Sequence, residues 1–199
     1  FSAAETGTHY AYMRMQGHLP LLLHPKPERV LVIAFGTGTT AGAVACHPEV
    51  REIVCVEIEP GVYEAAPFFA AANRNVLADP RVKRIEADGR EYIRRGGTFD
   101  VITLEPLMPY TPMAVQLYTK EFYALALDAL KPGGLLCQWI PPQGVSGADF
   151  RKLVASATAV FDHVSLWYFP HAVLVIGSRA EPQFDGRSLV RRVNTPSVL

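Results

Sequence analysis

Apolar positions along the chain fall into two rhythms that alternate. Arg29–Phe35 and Glu52–Ile58 are near-continuous apolar, β-branched runs, the pattern of strands buried on both faces. Between them Gly36–Ala45 is rich in small residues and predicts a helix packed closely on a sheet. Pro60 stands where proline is tolerated, in the first turn of a helix predicted to reach about Asn73. Val82–Glu86 reads as a shorter third strand, Asp88–Arg94 as a short helix, and Val101–Leu104, entered through Phe99-Asp100, as a fourth strand. Thr119–Leu130 reads as a helix stopped by Lys131-Pro132-Gly133-Gly134, and Leu135–Ile140 as a fifth strand. Ser146-Gly147-Ala148-Asp149 has the pattern of a capped helix start, and that helix is expected to run to about Phe161. Val164–Phe169 and Ala172–Gly177 close the series, with Pro170 and His171 at the turn between them.

Alternating strands and helices imply a mostly parallel sheet with helices on both faces. The last two strands are joined too tightly for a parallel crossover, so they are expected to pair antiparallel. Seven strands with that ending fit the Rossmann-like sheet of S-adenosylmethionine methyltransferases better than the two repeated halves of a dinucleotide-binding dehydrogenase. Three segments follow: residues 1–27, a linker with a short helix at Thr8–Gly17 and then an apolar turn; residues 28–180, the nucleotide-binding domain; and residues 181–199, a polar tail expected to be loose.

Charge narrows the classes of partner. Nineteen Lys and Arg balance nineteen Asp and Glu, so no broad cationic face is expected and nucleic acid is not an expected partner. Cys46, Cys55 and Cys137 are odd in number and form no CxxC pair, which argues against a metal site or disulfide framework and for a reducing, cytoplasmic setting. No apolar run approaches the ~18–20 residues of a membrane span, so direct membrane insertion of this chain is not expected. The sequence begins at Phe1 without a methionine, and a piece of a longer protein is expected.

Four places carry candidate chemistry. The loop Gly36-Thr37-Gly38-Thr39-Thr40-Ala41 follows a strand and opens a helix, where backbone N–H groups can meet a ligand; taken alone it also fits a dinucleotide fingerprint or a tight turn. Glu57, with Ile58 after it, ends the second strand about twenty residues on, where a carboxylate can accept from ribose hydroxyls or join a salt bridge. Asp88-Gly89 follows the third strand and can accept from an exocyclic amine such as that of adenine, cap the next helix, or do both. Glu105 ends the fourth strand, where open α/β sheets place their ligands, and leads into the proline-rich stretch Pro106–Gln116. That stretch is read either as a lid with Tyr110, Gln116 and Tyr118 near the pocket, or as a connector. His163 and His171 receive no role.

In order, Val30–Phe35 with Gly36-x-Gly38, Val56-Glu57-Ile58-Glu59-Pro60, Asp79-Pro80-Arg81-Val82, Asp88-Gly89-Arg90, Phe99-Asp100-Val101-Ile102, Leu117-Tyr118-Thr119-Lys120-Glu121-Phe122-Tyr123 and Leu130-Lys131-Pro132-Gly133-Gly134 resemble the polyamine aminopropyltransferases, the spermidine synthase family. Met15-x-Gly17-His18-Leu19-Pro20 resembles that family's approach to its Rossmann-like domain. The resemblance implies decarboxylated S-adenosylmethionine, or S-adenosylmethionine, as co-substrate, cradled by Gly36, Thr37, Gly38, Glu57, Ile58, Asp88, Gly89 and Glu105. It implies a small amine such as putrescine as acceptor, Glu105 and Tyr118 as catalytic residues, and no metal. It leaves a homodimer open.

The sequence departs from the family pattern at Thr37, where an aspartate is usual, at Met108, where a second carboxylate is usual, and at Arg14, in place of an acid. The small N-terminal β-domain of the usual enzyme is absent from the sequence. The Glu105-Pro106 and Gln138-Trp139-Ile140-Pro141 segments are similar to a divergent branch fused behind membrane helices. Two alternatives therefore stand beside aminopropyl transfer: transfer of a methyl group from S-adenosylmethionine, and a non-catalytic adenosyl-binding domain of a larger membrane protein.

Overall fold

In a computed structural model, which describes residues 10–182, 186–195 and 198, the strand sequence folds as its two-sided apolarity requires. β1 (Arg29–Ile33), β2 (Glu52–Glu57), β3 (Val82–Glu86), β4 (Phe99–Leu104), β5 (Leu130–Ile140), β6 (His163–Phe169) and β7 (Ala172–Ser178) form one sheet. Its order is β3-β2-β1-β4-β5-β7-β6. The first five strands run parallel, with Val32 opposite Cys55 and Thr103, and the β5–β7 and β6–β7 pairs are antiparallel. The expected sheet and its closing pair are both observed.

Alternate residues of each strand feed opposite faces. Leu31 and Ile33 of β1 join a core with Phe122, Tyr123 and Phe161, the face covered by α5 (Gly89–Arg94), α6 (Lys120–Asp128) and α7 (Gly147–Thr158). Val30 and Val32 join the opposite core with Val44 and Tyr63, under α2 (Thr39–Ala45) and α3 (Pro60–Ala65). A third cluster lies between α1 (Tyr10–Leu23) and the β5–β7 half of the sheet, with Tyr12, Met13 and Leu19 against Cys137, Trp139 and Leu174. Two caps raised by the sequence form, Ser146 accepting from Asp149 N at 3.1 Å and Asp88 from Glu91 N at 2.9 Å, and Thr119 also caps α6, accepting from Phe122 N at 3.3 Å.

Four expectations are corrected. The short helix at Thr8–Gly17 is instead Tyr10–Leu23, running through Pro20 and the supposed apolar turn; Thr8 and His9 lie outside the described residues. Pro20 cannot donate to the carbonyl of Gln16, and the hydroxyl of Thr103 in β4 donates to that oxygen instead, at 3.3 Å. This helix is part of the domain core rather than a linker. The single helix from Pro60 to Asn73 is broken, with a 3-10 turn at Ala66–Phe69 before α4 (Ala70–Asn73), because Pro67 has no N–H to continue the ladder.

The glycine pair after Pro132 does not end the helix ahead of the fifth strand; β5 already begins at Leu130 and runs through it. The tail is not wholly loose. α8 (Gly186–Val193) is docked by Arg192, which donates to Leu21 O at 2.6 Å and His24 O at 2.7 Å and pairs with Glu49. The three cysteines are buried thiols without a disulfide among them. Among the described residues no helix is long and apolar enough to cross a membrane.

Candidate active site

The carboxyl ends of β1 to β5 open into a cavity of about 510 Å³, within the usual range for a small-molecule site. On the β1–β3 side its wall begins where β1 stops. Ala34 takes φ 64° and its N–H donates to Val56 O at 3.0 Å. The chain then turns through Gly36 at φ 56° and Gly38 at φ 79° into α2. Gly38 is required on two counts: its backbone is left-handed, and a Cβ there would sit 2.5 Å from the Phe35 ring. Gly36 and Thr37 line the cavity while Gly38 stands behind them, so of the three it shapes the loop without facing a ligand.

Glu57 is buried at the end of β2 and held by the backbone. Its Oε2 accepts from Phe35 N at 2.9 Å, and its Oε1 accepts from Ile58 N at 2.9 Å and Glu59 N at 3.2 Å. About four acceptor positions belong to a carboxylate, so three amides fix its orientation and leave capacity for a hydroxyl. Ile58 is 58% exposed yet lines the cavity with Val62, an apolar surface at the rim. Asp88 is both cap and wall, as the sequence left open: one oxygen accepts from Glu91 N, and the residue faces the cavity. Gly89 lets this segment approach β1, since a Cβ there would lie 2.4 Å from Ile33 Cγ2.

The β4–β7 side has a different character. Glu105 follows β4, keeps a window onto the cavity and is otherwise enclosed. Burial pushes its carboxyl up from 4.5 to about 7, against a smaller downward pull from Tyr12. The Tyr12 hydroxyl donates to Glu105 Oε1 at 2.5 Å, and its ring stacks on Trp139 at 6.0 Å and 15°. Trp139 and Met108 pack in the same apolar cluster and also line the cavity. At the mouth, Gln143 Nε2 and His171 Nδ1 lie 3.1 Å apart, joining the β5–α7 loop to the β6–β7 turn. Ala34, Met113 and His171 all hold positive φ without being glycine, and all three line the cavity; such strain concentrates at functional sites.

The proline-rich stretch forms part of the wall, through Pro106, Leu107, Met108, Pro112 and Met113. Tyr118 departs from the role expected of it. It lies outside the lining, and its hydroxyl donates to Leu107 O at 3.1 Å, with Pro106 O at 3.5 Å. Its hydroxyl therefore ties the loop to the start of α6. Tyr110 and Gln116 also stand outside the lining, Gln116 accepting from Arg90 at 3.3 Å. Sequence reasoning missed Tyr12, Trp139, Gln143 and His171. Tyr12 lies only two residues before Arg14, but its partner is 93 positions away. Among the described residues no group of three or more His, Cys, Asp or Glu gathers as a metal site.

Known proteins share this architecture. A spermine/spermidine synthase domain matches residues 9–176. Spermidine synthase of Dictyostelium discoideum is 40% identical over 129 residues, 64% of this chain and 45% of that protein. A crystal structure of spermidine synthase in complex with the transition state analogue AdoDATO superposes with a TM-score of 0.79 at 25% identity, covering 94% of this chain and 73% of that one. Human methyltransferase-like protein 13, in complex with SAH, shares the fold at TM-score 0.72 and 19% identity, covering 96% and 90%. The chain spans about half the length of the curated relatives it matches. With the match covering the sheet from β1 into β7 and both walls of the cavity, the chain belongs to the spermine/spermidine synthase family.

Proposed function

We propose that this domain transfers an aminopropyl group from decarboxylated S-adenosylmethionine to a small amine. The observation that carries the reading is Glu105, a carboxyl held at about 7 beside Tyr12, in one cavity with the glycine loop, Glu57 and Asp88. In this reading Glu57 takes the ribose, Asp88 the adenine amine, and Ile58 and Val62 the apolar face of the base. The complex of a related spermidine synthase with AdoDATO supports an adenosyl donor.

The charge of the lining supports the decarboxylated form. Glu57, Glu59, Asp88 and Glu105 face the cavity, and no Lys or Arg is among the described lining residues. The carboxylate of intact S-adenosylmethionine would meet acids and no cation, whereas an aminopropyl ammonium meets acids. Fusion behind membrane helices and assembly as a homodimer rest on the resemblance alone.

The chemistry asks for one proton acceptor. An amine enters protonated, and Glu105 in its ionised form removes one proton. The freed nitrogen pair attacks the methylene carbon next to the sulfonium; the C–N bond forms as the C–S bond breaks. Methylthioadenosine leaves neutral, and the positive charge passes from sulfur to the product nitrogen. The test is to incubate the purified chain with the decarboxylated donor and a panel of amines, and to measure methylthioadenosine. Formation that is lost in Glu105→Gln is expected; no formation with any amine, or full activity in that variant, overturns the proposal.

A further inference from the structure

Tyr12 reaches Glu105 from a helix, so its placement depends on what holds that helix. α2 begins at Thr39, directly after the glycine loop, and α1 lies along it. Thr40 Oγ1 donates at 3.1 Å to the carbonyl of Met13, the residue after Tyr12. One turn further on the two backbones meet at Gly17, where a Cβ would stand 2.6 Å from Ala43 Cβ and 2.6 Å from Thr40 O. The seam closes at His18 Nδ1 and His47 Nε2, 2.9 Å apart. α2 cannot give way at this contact, because Asn73 backs its other side. A Cβ on Gly42 would lie 2.4 Å from Asn73 O, and Asn73 Nδ2 donates to Thr37 O and Ala66 O, both at 2.9 Å. The carboxyl end of α1 is pinned as well, by Arg192 on Leu21 O and His24 O. The contact at Gly17 therefore locates the amino-terminal turn of α1, which carries Tyr12.

Resting on the reading of Glu105 as the base in aminopropyl transfer, we propose that Gly17, which lies outside the cavity lining, is a positioning residue for the reaction. Its missing side chain seats α1 against α2 at the depth that brings the Tyr12 hydroxyl to Glu105. An added Cβ could be relieved only by opening the seam by about 0.8 Å, from 2.6 Å to the 3.4 Å at which ordinary contact begins. A displacement of that size at Tyr12 carries its 2.5 Å bond to Glu105 beyond the range of about 2.5–3.0 Å in which O–H···O bonds hold. Glu105 then keeps its enclosure and loses the donor that stabilises its ionised form, so its proton affinity rises.

The test follows the Glu105 carboxyl itself, by carbon-13 NMR of the full chain across its titration, with the resonance assigned through Glu105→Gln. Tyr12 faces this carboxyl from α1 and Tyr118 from the segment ahead of α6. Tyr12→Phe is expected to raise the midpoint by roughly 1–2 units. Gly17→Ala is expected to raise it by roughly half a unit or more. The double variant should go no higher than Tyr12→Phe alone, since the alanine acts through that hydroxyl. Thr40→Val loses the bond to Met13 O and should move the midpoint the same way by less; it carries the test where the alanine variant does not fold. Lowered stability in these variants with the original midpoint kept overturns the positioning role, and so does a double variant that exceeds Tyr12→Phe by the full Gly17→Ala shift. A raised midpoint in a chain that forms no methylthioadenosine with any amine supports the positioning role and overturns the aminopropyl-transfer reading instead.

Discussion

Glu105→Gln should make the domain more stable as it makes it inactive. The folded protein holds this carboxyl at about 7 instead of 4.5 because burial disfavours its charge. A group whose folded pKa is raised this way prefers its proton in the native state, so stability is highest below the unfolded value and falls as pH rises toward the folded one. At 1.36 kcal/mol per unit, the ionised carboxylate costs about 3 kcal/mol by pH 8, an upper figure because Glu105 keeps a window onto the cavity. Glutamine has the same shape, still accepts from Tyr12, and carries no charge. Denaturant unfolding at pH 4.5, 6 and 8 should therefore show the two proteins close together at pH 4.5. The variant should be ahead by about 2–3 kcal/mol at pH 8, or roughly 4–12 °C in Tm for a chain of this size. Parallel stability curves for the two proteins across that range would refute the claim that burial holds this carboxyl near neutrality.

Three further expectations follow from single contacts. Tyr12→Phe removes the hydroxyl that stabilises ionised Glu105; at ~1.5–3 kcal/mol for a bond to a charged group, the acid limb of the pH–rate profile should move up by roughly 1–2 units, and an unmoved limb would show that Glu105 is not the titrating base. Gly89→Ala places a methyl 2.4 Å from Ile33 Cγ2 and should lower stability by about 1–3 kcal/mol in chemical denaturation, together with weaker binding of methylthioadenosine. Thr103→Val keeps the shape but leaves the carbonyl of Gln16, opposite Pro20, without its donor, so a loss of about 1–3 kcal/mol is expected, and an unchanged unfolding midpoint would mean the proline is compensated elsewhere.

The strands were legible because burial on both faces leaves little freedom of composition: β1, β2 and β4 read as β-branched runs and fold as such. The closing antiparallel pair was legible because two residues between strands allow no crossover. What the sequence hid is non-local. A proline in α1 reads as a break, and only a hydroxyl 87 positions away in β4 makes the helix tolerable. α8 looks like a polar tail until Arg192 is seen to satisfy the carbonyls that end α1.

The candidate site divides in the same way. Gly36, Glu57, Asp88 and Glu105 could be found because each follows a strand, and the topology of an open sheet gathers strand ends. Tyr12, Trp139, Gln143 and His171 come from a helix, a strand interior and two turns, and no local spacing ties them to Glu105. Tyr118 shows the opposite case: it stands in a recognisable segment, but the carbonyls of Pro106 and Leu107 take its hydroxyl.

In the proposed reaction the apolar walls and the raised carboxyl act as one device. In water an alkylammonium holds its proton against a carboxylate by several pKa units, so a solvated Glu105 could not remove it. Enclosure changes the balance, because it penalises both charged partners and neither neutral one. A protonated amine arriving beside ionised Glu105 exchanges two charges in an apolar setting for an amine and an acid, both uncharged, and only the uncharged amine has the free electron pair that attacks carbon. Tyr12 sets the limit on this effect: its hydroxyl keeps Glu105 from rising further, so that the carboxyl is still ionised near neutral pH when the amine arrives.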